Sequence, residues 1–190
     1  MKPSYTTTHL WIMALIILLG LGLIVQGGYM QAKAHFAQFL IERAFEQTLV
    51  DNQPHKPWSW ADTHPVAKMR LLQHNAQGTQ ALGPDLYVLA GASGRNLAFG
   101  PSLMLAGAGV GEQGNTIIAG HRDSHFMRLQ YVNVGDMIEL YSATGELQVY
   151  QITATQVVHE TATEVLDQTE NSQLTLITCY PFDQLSGNAE

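Results

Sequence analysis

The chain has 190 residues, enough for one domain of ordinary size with a short appendage and too few for two full domains. With 46% hydrophobic, 13% charged and 8% aromatic residues, it carries the apolar material of a folded core, which excludes wholesale disorder. Beyond residue 30 stand eight basic and all sixteen acidic residues, an acidic balance that argues against a surface built for nucleic acid, and the single cysteine excludes both an internal disulfide framework and a cysteine-rich zinc site.

Leu10 to Val25 reads LWIMALIILLGLGLIV, without one strongly polar side chain, and only Gln26 interrupts its uncharged extension to Met30. About twenty such residues span a bilayer core of about 30 Å as a helix. Residues 10–30 are therefore expected to form a transmembrane anchor. Ala32-Lys33-Ala34 has the small residues of a signal cleavage site, but the apolar run exceeds a normal signal core, so an uncleaved anchor is the better reading. Lys2 lies on one side and Lys33 and Arg43 on the other, and the positive-inside rule barely separates the two orientations.

Residues 31–57 form the expected linker. Within it QAKAHFAQFLIERAFEQTL lacks Gly and Pro and places Phe36, Phe39, Leu40 and Ala44 on one stripe, predicting an amphipathic helix. Pro54, Pro57 and Pro65 then punctuate a loop-like stretch containing Trp58 and Trp60, where the globular part of residues 58–190 begins. The two tryptophans suit either an interfacial anchor or packing on the domain.

Past Pro65 the periodicity becomes strand-like. Strands are expected at Asp85 to Ala90, Asn115 to Ala119, Met137 to Ser142, Glu146 to Val158 and Leu174 to Thr178, with a tight turn at Ala143-Thr144-Gly145. Short alternating strands with turn-rich joints predict a mostly antiparallel β domain, a barrel or a sandwich.

Cys179 stands at the end of the last expected strand, immediately before Tyr180-Pro181, and Pro181 removes a ladder donor there. From position alone an inert buried thiol and a nucleophile are equally open. A thiol becomes a good nucleophile beside an imidazole or guanidinium that stabilises the thiolate. Such groups lie in Gly120-His121-Arg122-Asp123-Ser124-His125, which also follows an apolar strand, so the two strand ends are expected at one rim. His121, Asp123 and His125 also admit a metal-binding reading, weakened because HxxxH unites its imidazoles on one face only in a helix.

Thr175-Leu176-Ile177-Thr178-Cys179 resembles the TLxTC motif of sortases, and Gly120-His121-Arg122-Asp123 with Ser124-His125-Phe126 resembles their GHRD-T/S-HF segment. Further matches are Gly114 to Ala119, Tyr180 to Asp183 and Trp58 to Asp62, and together they are most similar to the sortase branch of marine proteobacteria. The resemblance covers roughly residues 58–190. It implies a mainly β protein with the eight-stranded sortase barrel, residues 1–9 as a cytoplasmic tail, the inner membrane as anchor site and a periplasmic domain. It implies a cysteine transpeptidase without a cofactor, with Cys179 forming a thioester and His121 acting as acid and then base. Thr178 would shape substrate binding. The implied partners are a substrate protein with a C-terminal sorting signal and an amine acceptor.

Sortases also carry an arginine on the strand after the cysteine, and Tyr180 to Glu190 contains none. The expectation is a barrel lacking its last strand and a weak or inactive form. Arg122, next to His121 in an extended segment, is expected to point the opposite way and not to replace that arginine. The competing readings are a non-catalytic module that captures sorting signals and the metal-binding domain above.

Overall fold

The structure, a computed structural model, describes residues 5–76 and 78–183. The start of the expected tail and residues 184–190, on which the expectation of a missing strand bears, lie outside the described residues. The chain divides into two compact units between Phe39 and Leu40.

The apolar run and the Ala-, Gln- and Glu-rich stretch after it form one continuous helix, α1 (Tyr5–Asp51), since no proline interrupts it and its four glycines, Gly20, Gly22, Gly27 and Gly28, weaken the helix without breaking it. It contains the one stretch among the described residues long and apolar enough to cross a membrane, with a mean hydropathy of 2.4 over a window that is 0% buried. Of the stripe predicted for the later turns, Ala44 is buried and Leu40 half-buried, and only Phe36 and Phe39 are not on the buried face. Phe36 and Phe39 are 60% and 54% exposed, whereas Ile41, Ala44, Phe45 and Thr48 are buried. Their i, i+3, i+4, i+7 spacing selects that face. Phe45 meets the Tyr87 ring at 5.6 Å, and the Tyr87 hydroxyl donates to Glu42 Oε1 at 2.9 Å, which fixes the helix rotation. Burying Ile41 and Phe45 stabilises this unit by about 1.5–3 kcal/mol each.

Among the described residues eight strands form one sheet: β1 (Pro65–Asn75), β2 (Gly78–Ala81), β3 (Leu86–Ala90), β4 (Ser102–Leu103), β5 (Asn115–Ala119), β6 (Met137–Ser142), β7 (Leu147–Gln151) and β8 (Gln173–Ile177). The order is β7-β6-β1-β3-β4-β5-β8, with β2 paired to β1. Pairings are antiparallel except β3 with β4 and β5 with β8. A mostly antiparallel domain was expected, and the sheet curls as a nearly closed barrel about one core. Strand β1, not separated as a strand in the sequence, is its spine: Pro65, Ala67, Met69 and Leu71 face inward, while Lys68 and Arg70 face outward. There Arg70 grips Asp85 with two bonds of 2.7 and 2.8 Å, a bidentate match that ties β1 to the chain entering β3.

The hairpin between β6 and β7 turns at Ala143-Thr144-Gly145, with Gly145 at φ +84, a conformation that glycine adopts without steric cost. The strand expected over residues 146–158 stops at Gln151. Strand β8 runs parallel to β5 on the far side of the sheet, and that arrangement demands a long crossover. Residues 152–172 supply it, with only the short 3-10 turn Thr163–Leu166 inside. Buried Asn115 fastens this crossover: its Nδ2 donates to the carbonyls of Val165 and Asp167 at 3.2 and 3.1 Å, and its Oδ1 accepts from Thr175 Oγ1 at 2.7 Å.

At the start of the domain Trp58 packs edge-on against Phe99 at 4.9 Å, and Trp60, 5.3 Å from Trp58, is 69% exposed.

Candidate active site

The register between β5 and β8 sets the site. The parallel ladder runs from Asn115 opposite Gln173 to Ala119 opposite Ile177. The ladder ends there, and Gly120-His121 and Thr178-Cys179 are the residues that follow its two strands directly. Two bonds join these segments beyond the ladder. Gly120 N–H donates to the Ile177 carbonyl at 3.0 Å, and Thr178 Oγ1 donates to the Gly120 carbonyl at 2.9 Å.

Both His121 and Cys179 are exposed. The residues on either side of His121, Gly120 and Arg122, are both buried. Gly120 is needed because a Cβ there would meet the Phe126 ring at 2.7 Å, and Phe126 is fully buried in the barrel core. The turn from His121 to Phe126 is closed by the His121 carbonyl, which accepts from Ser124 N–H at 3.4 Å and Phe126 N–H at 3.1 Å. Gly120 and Phe126 thus form a clasp that presents His121 at the rim.

Arg122 is 8% exposed and buried where His121 is exposed, although it stands in the turn and not in an extended segment. Its Nε donates to Asp123 Oδ1 at 2.9 Å and its Nη1 to the Pro181 carbonyl at 2.6 Å. Nothing in the bare sequence gave Arg122 this role. The available signal was a charged residue at an inward position directly after a strand. His125 is half-buried, its Nδ1 3.2 Å from Ser124 Oγ. Burial, and then the charges of Arg128 and His121, hold its imidazole below the ordinary histidine value.

Thr178 is half-buried, with its hydroxyl engaged by the Gly120 carbonyl. The geometry does not favour the metal reading: Asp123 turns to Arg122, and among the described residues no three His, Cys, Asp or Glu side chains converge as a metal site would need.

Residues 79–190 match the family model of the sortase domain. The chain belongs to the sortase family. Among curated sortases it is 38% identical over 79 residues to Sortase D of Bacillus subtilis (strain 168), a match covering 41% of this chain and 39% of that protein. It is 35% identical over 99 residues to Sortase A of Listeria monocytogenes, covering 50% of this chain and 44% of that protein. Each match thus spans less than half the length of the curated sortase. Among solved structures, a Clostridium perfringens Sortase D5 transpeptidase aligns with a TM-score of 0.54 at 23% identity, covering 74% of this chain and 81% of that one. Streptococcus agalactiae sortase C1 aligns with a TM-score of 0.54 at 18% identity, covering 80% and 82%. These likenesses establish the sortase fold for the barrel described above.

Proposed function

We propose that this sortase is a membrane-anchored cysteine transpeptidase in which Cys179 is the nucleophile and His121 the acid and base. The observation that supports the reading is the parallel pairing of β5 with β8, whose ladder ends at Ala119 opposite Ile177, two residues before His121 and Cys179. Cys179 Sγ attacks the carbonyl carbon of the scissile peptide bond in a C-terminal sorting signal. As the C–N bond breaks, His121 gives its proton to the departing amine, and the acyl group stays on sulfur as a thioester. The incoming amine then attacks the thioester carbonyl, loses its proton to His121 and expels the Cys179 thiolate. Thr178 shapes the acyl site through its backbone, since its hydroxyl holds Gly120.

The apolar part of α1 supports a membrane anchor; the inner membrane, the cytoplasmic N-terminus and the periplasmic barrel rest on the family resemblance. The substrate is a protein bearing a sorting signal, and the acceptor is an amine.

Incubation with a sorting-signal peptide, followed by intact-mass measurement, tests the reading. An acyl adduct on Cys179 that hydroxylamine releases is expected, and it disappears in Cys179→Ala. Saturable peptide binding without any adduct favours the module that captures signals without cleaving them.

A further inference from the structure

Arg122 lies between two exposed residues, His121 and Asp123, yet is itself almost fully buried. A guanidinium withdrawn from water is costly unless its donors find acceptors. One acceptor is local, the Asp123 carboxylate, which is 76% exposed and adds little by itself. A second acceptor is not local. Nη1 reaches the Pro181 carbonyl, 59 residues on, and so crosses from the segment after β5 to the segment after β8. A charged donor on a carbonyl at 2.6 Å is among the stronger hydrogen bonds a protein makes.

This bond completes a bracket. On the strand side of Cys179 the two segments are joined by Gly120 N–H to the Ile177 carbonyl and by Thr178 Oγ1 to the Gly120 carbonyl. On the far side they are joined by Arg122 to Pro181. Residues 120 and 122 flank His121, and residues 178 and 181 flank Cys179. Pro181 offers no backbone N–H, so its segment cannot be held by a continued ladder donor at that position. The inward guanidinium supplies the missing tie through the carbonyl instead.

We propose that Arg122 is a positioning residue of the transpeptidase centre, holding the segment that follows Cys179 so that the thiol stays in reach of the His121 imidazole. The role rests on the reading of Cys179 and His121 as nucleophile and acid–base. Arg122 acts through the Pro181 backbone and touches no reacting atom. Lysine at this position supplies the charge but not the fork that serves Asp123 and Pro181 together. Glutamine supplies neither.

The test is the rate of Cys179 modification by methyl methanethiosulfonate from pH 5 to 10, using the full chain in detergent micelles. Cys179 is the only cysteine, so no other thiol reports. Thiolate attack forms the mixed disulfide and releases methanesulfinate, and the rate follows how well His121 supports the thiolate. His121→Ala is expected to slow the reaction near neutrality and move its midpoint to higher pH. Arg122→Gln is expected to slow it by about tenfold or more and move the midpoint the same way, with Arg122→Lys intermediate. Circular dichroism and thermal melting check that each variant is folded. The double variant Arg122→Gln with His121→Ala is expected to react no more slowly than His121→Ala alone, because nothing is left to position.

A folded Arg122→Gln with the wild-type profile overturns the proposal, as does a double variant in which the two losses multiply. Should Arg122→Gln fail to fold, Arg122→Lys decides in the same assay: a wild-type profile overturns the role. A His121→Ala profile identical to wild type instead defeats the reading of the pair itself, and the positioning role falls with it.

Discussion

The Arg122 guanidinium donates to the Pro181 carbonyl at 2.6 Å, tying the residue after His121 to the second residue after Cys179. The rim of the barrel is therefore held by contacts inside the sheet, while the side chains proposed for chemistry face outward. Four structural consequences of this arrangement are open to measurement.

Gly120 lies against the face of Phe126, and a methyl group there would stand 2.7 Å from ring carbons in the core. Gly120→Ala should destabilise the folded domain by about 1–3 kcal/mol in urea unfolding. Pairing it with Phe126→Leu should recover part of that loss, because the smaller side chain vacates the contact. Simple additivity of the two losses would contradict the clasp.

Asn115 is fully buried and holds the crossover through the carbonyls of Val165 and Asp167. Asn115→Ala leaves those carbonyls and the Thr175 hydroxyl short of a partner, at about 1–3 kcal/mol of stability. The loss should be local as well as global. Amide exchange across residues 163–168 should quicken more than exchange in β1, and equal change in both regions would argue against a tether.

Much of this was legible from the residues alone, and the failures have physical causes. Asn115–Ala119 and Met137–Ser142 were bounded correctly because apolar runs there end at glycine or at a turn. The strand expected to Val158 ended early because apolar alternation cannot report whether a neighbouring strand continues alongside it. Neither could the helix stripe be read in full. Phe36 and Phe39 have the right spacing, but the packing partner Tyr87 lies 42 residues beyond Phe45 in sequence and selects a face without them. The resemblance singles out His121 and Cys179, and Arg122 was expected to point away from His121, which its burial matches although it stands in a turn. Its acceptor, a backbone carbonyl 59 residues away, has no sequence signature at all.

Thr178 donates its hydroxyl to the Gly120 carbonyl at 2.9 Å. Thr178→Val keeps the shape but loses the donor, and should cost about 0.5–1.5 kcal/mol. Thr178→Ser should stay close to wild type. If the two variants melt alike, the hydroxyl does not hold the strand ends.

Acid should weaken the fold through two histidines. Burial, then Lys56, lowers the His64 value, and burial, then Arg128 and His121, lowers that of His125. Below the ordinary value of 6.5 the unfolded chain therefore binds protons that the folded chain resists. Their contribution is complete above that pH and is lost as pH falls below it. Thermal midpoints should be level from pH 8 to about 7 and drop toward pH 5. The double variant His64→Gln with His125→Gln should flatten that drop, and an unchanged slope would assign it to other groups.

The measurement that bears most directly on the account is intact-mass detection of the acyl-enzyme formed with a sorting-signal peptide by the full chain, by Cys179→Ala and by His121→Ala. The account predicts a hydroxylamine-labile adduct on the wild type, none on Cys179→Ala, and at least a hundredfold slower formation on His121→Ala, as loss of general acid catalysis implies. An adduct that survives Cys179→Ala, or one formed equally fast without His121, would contradict it.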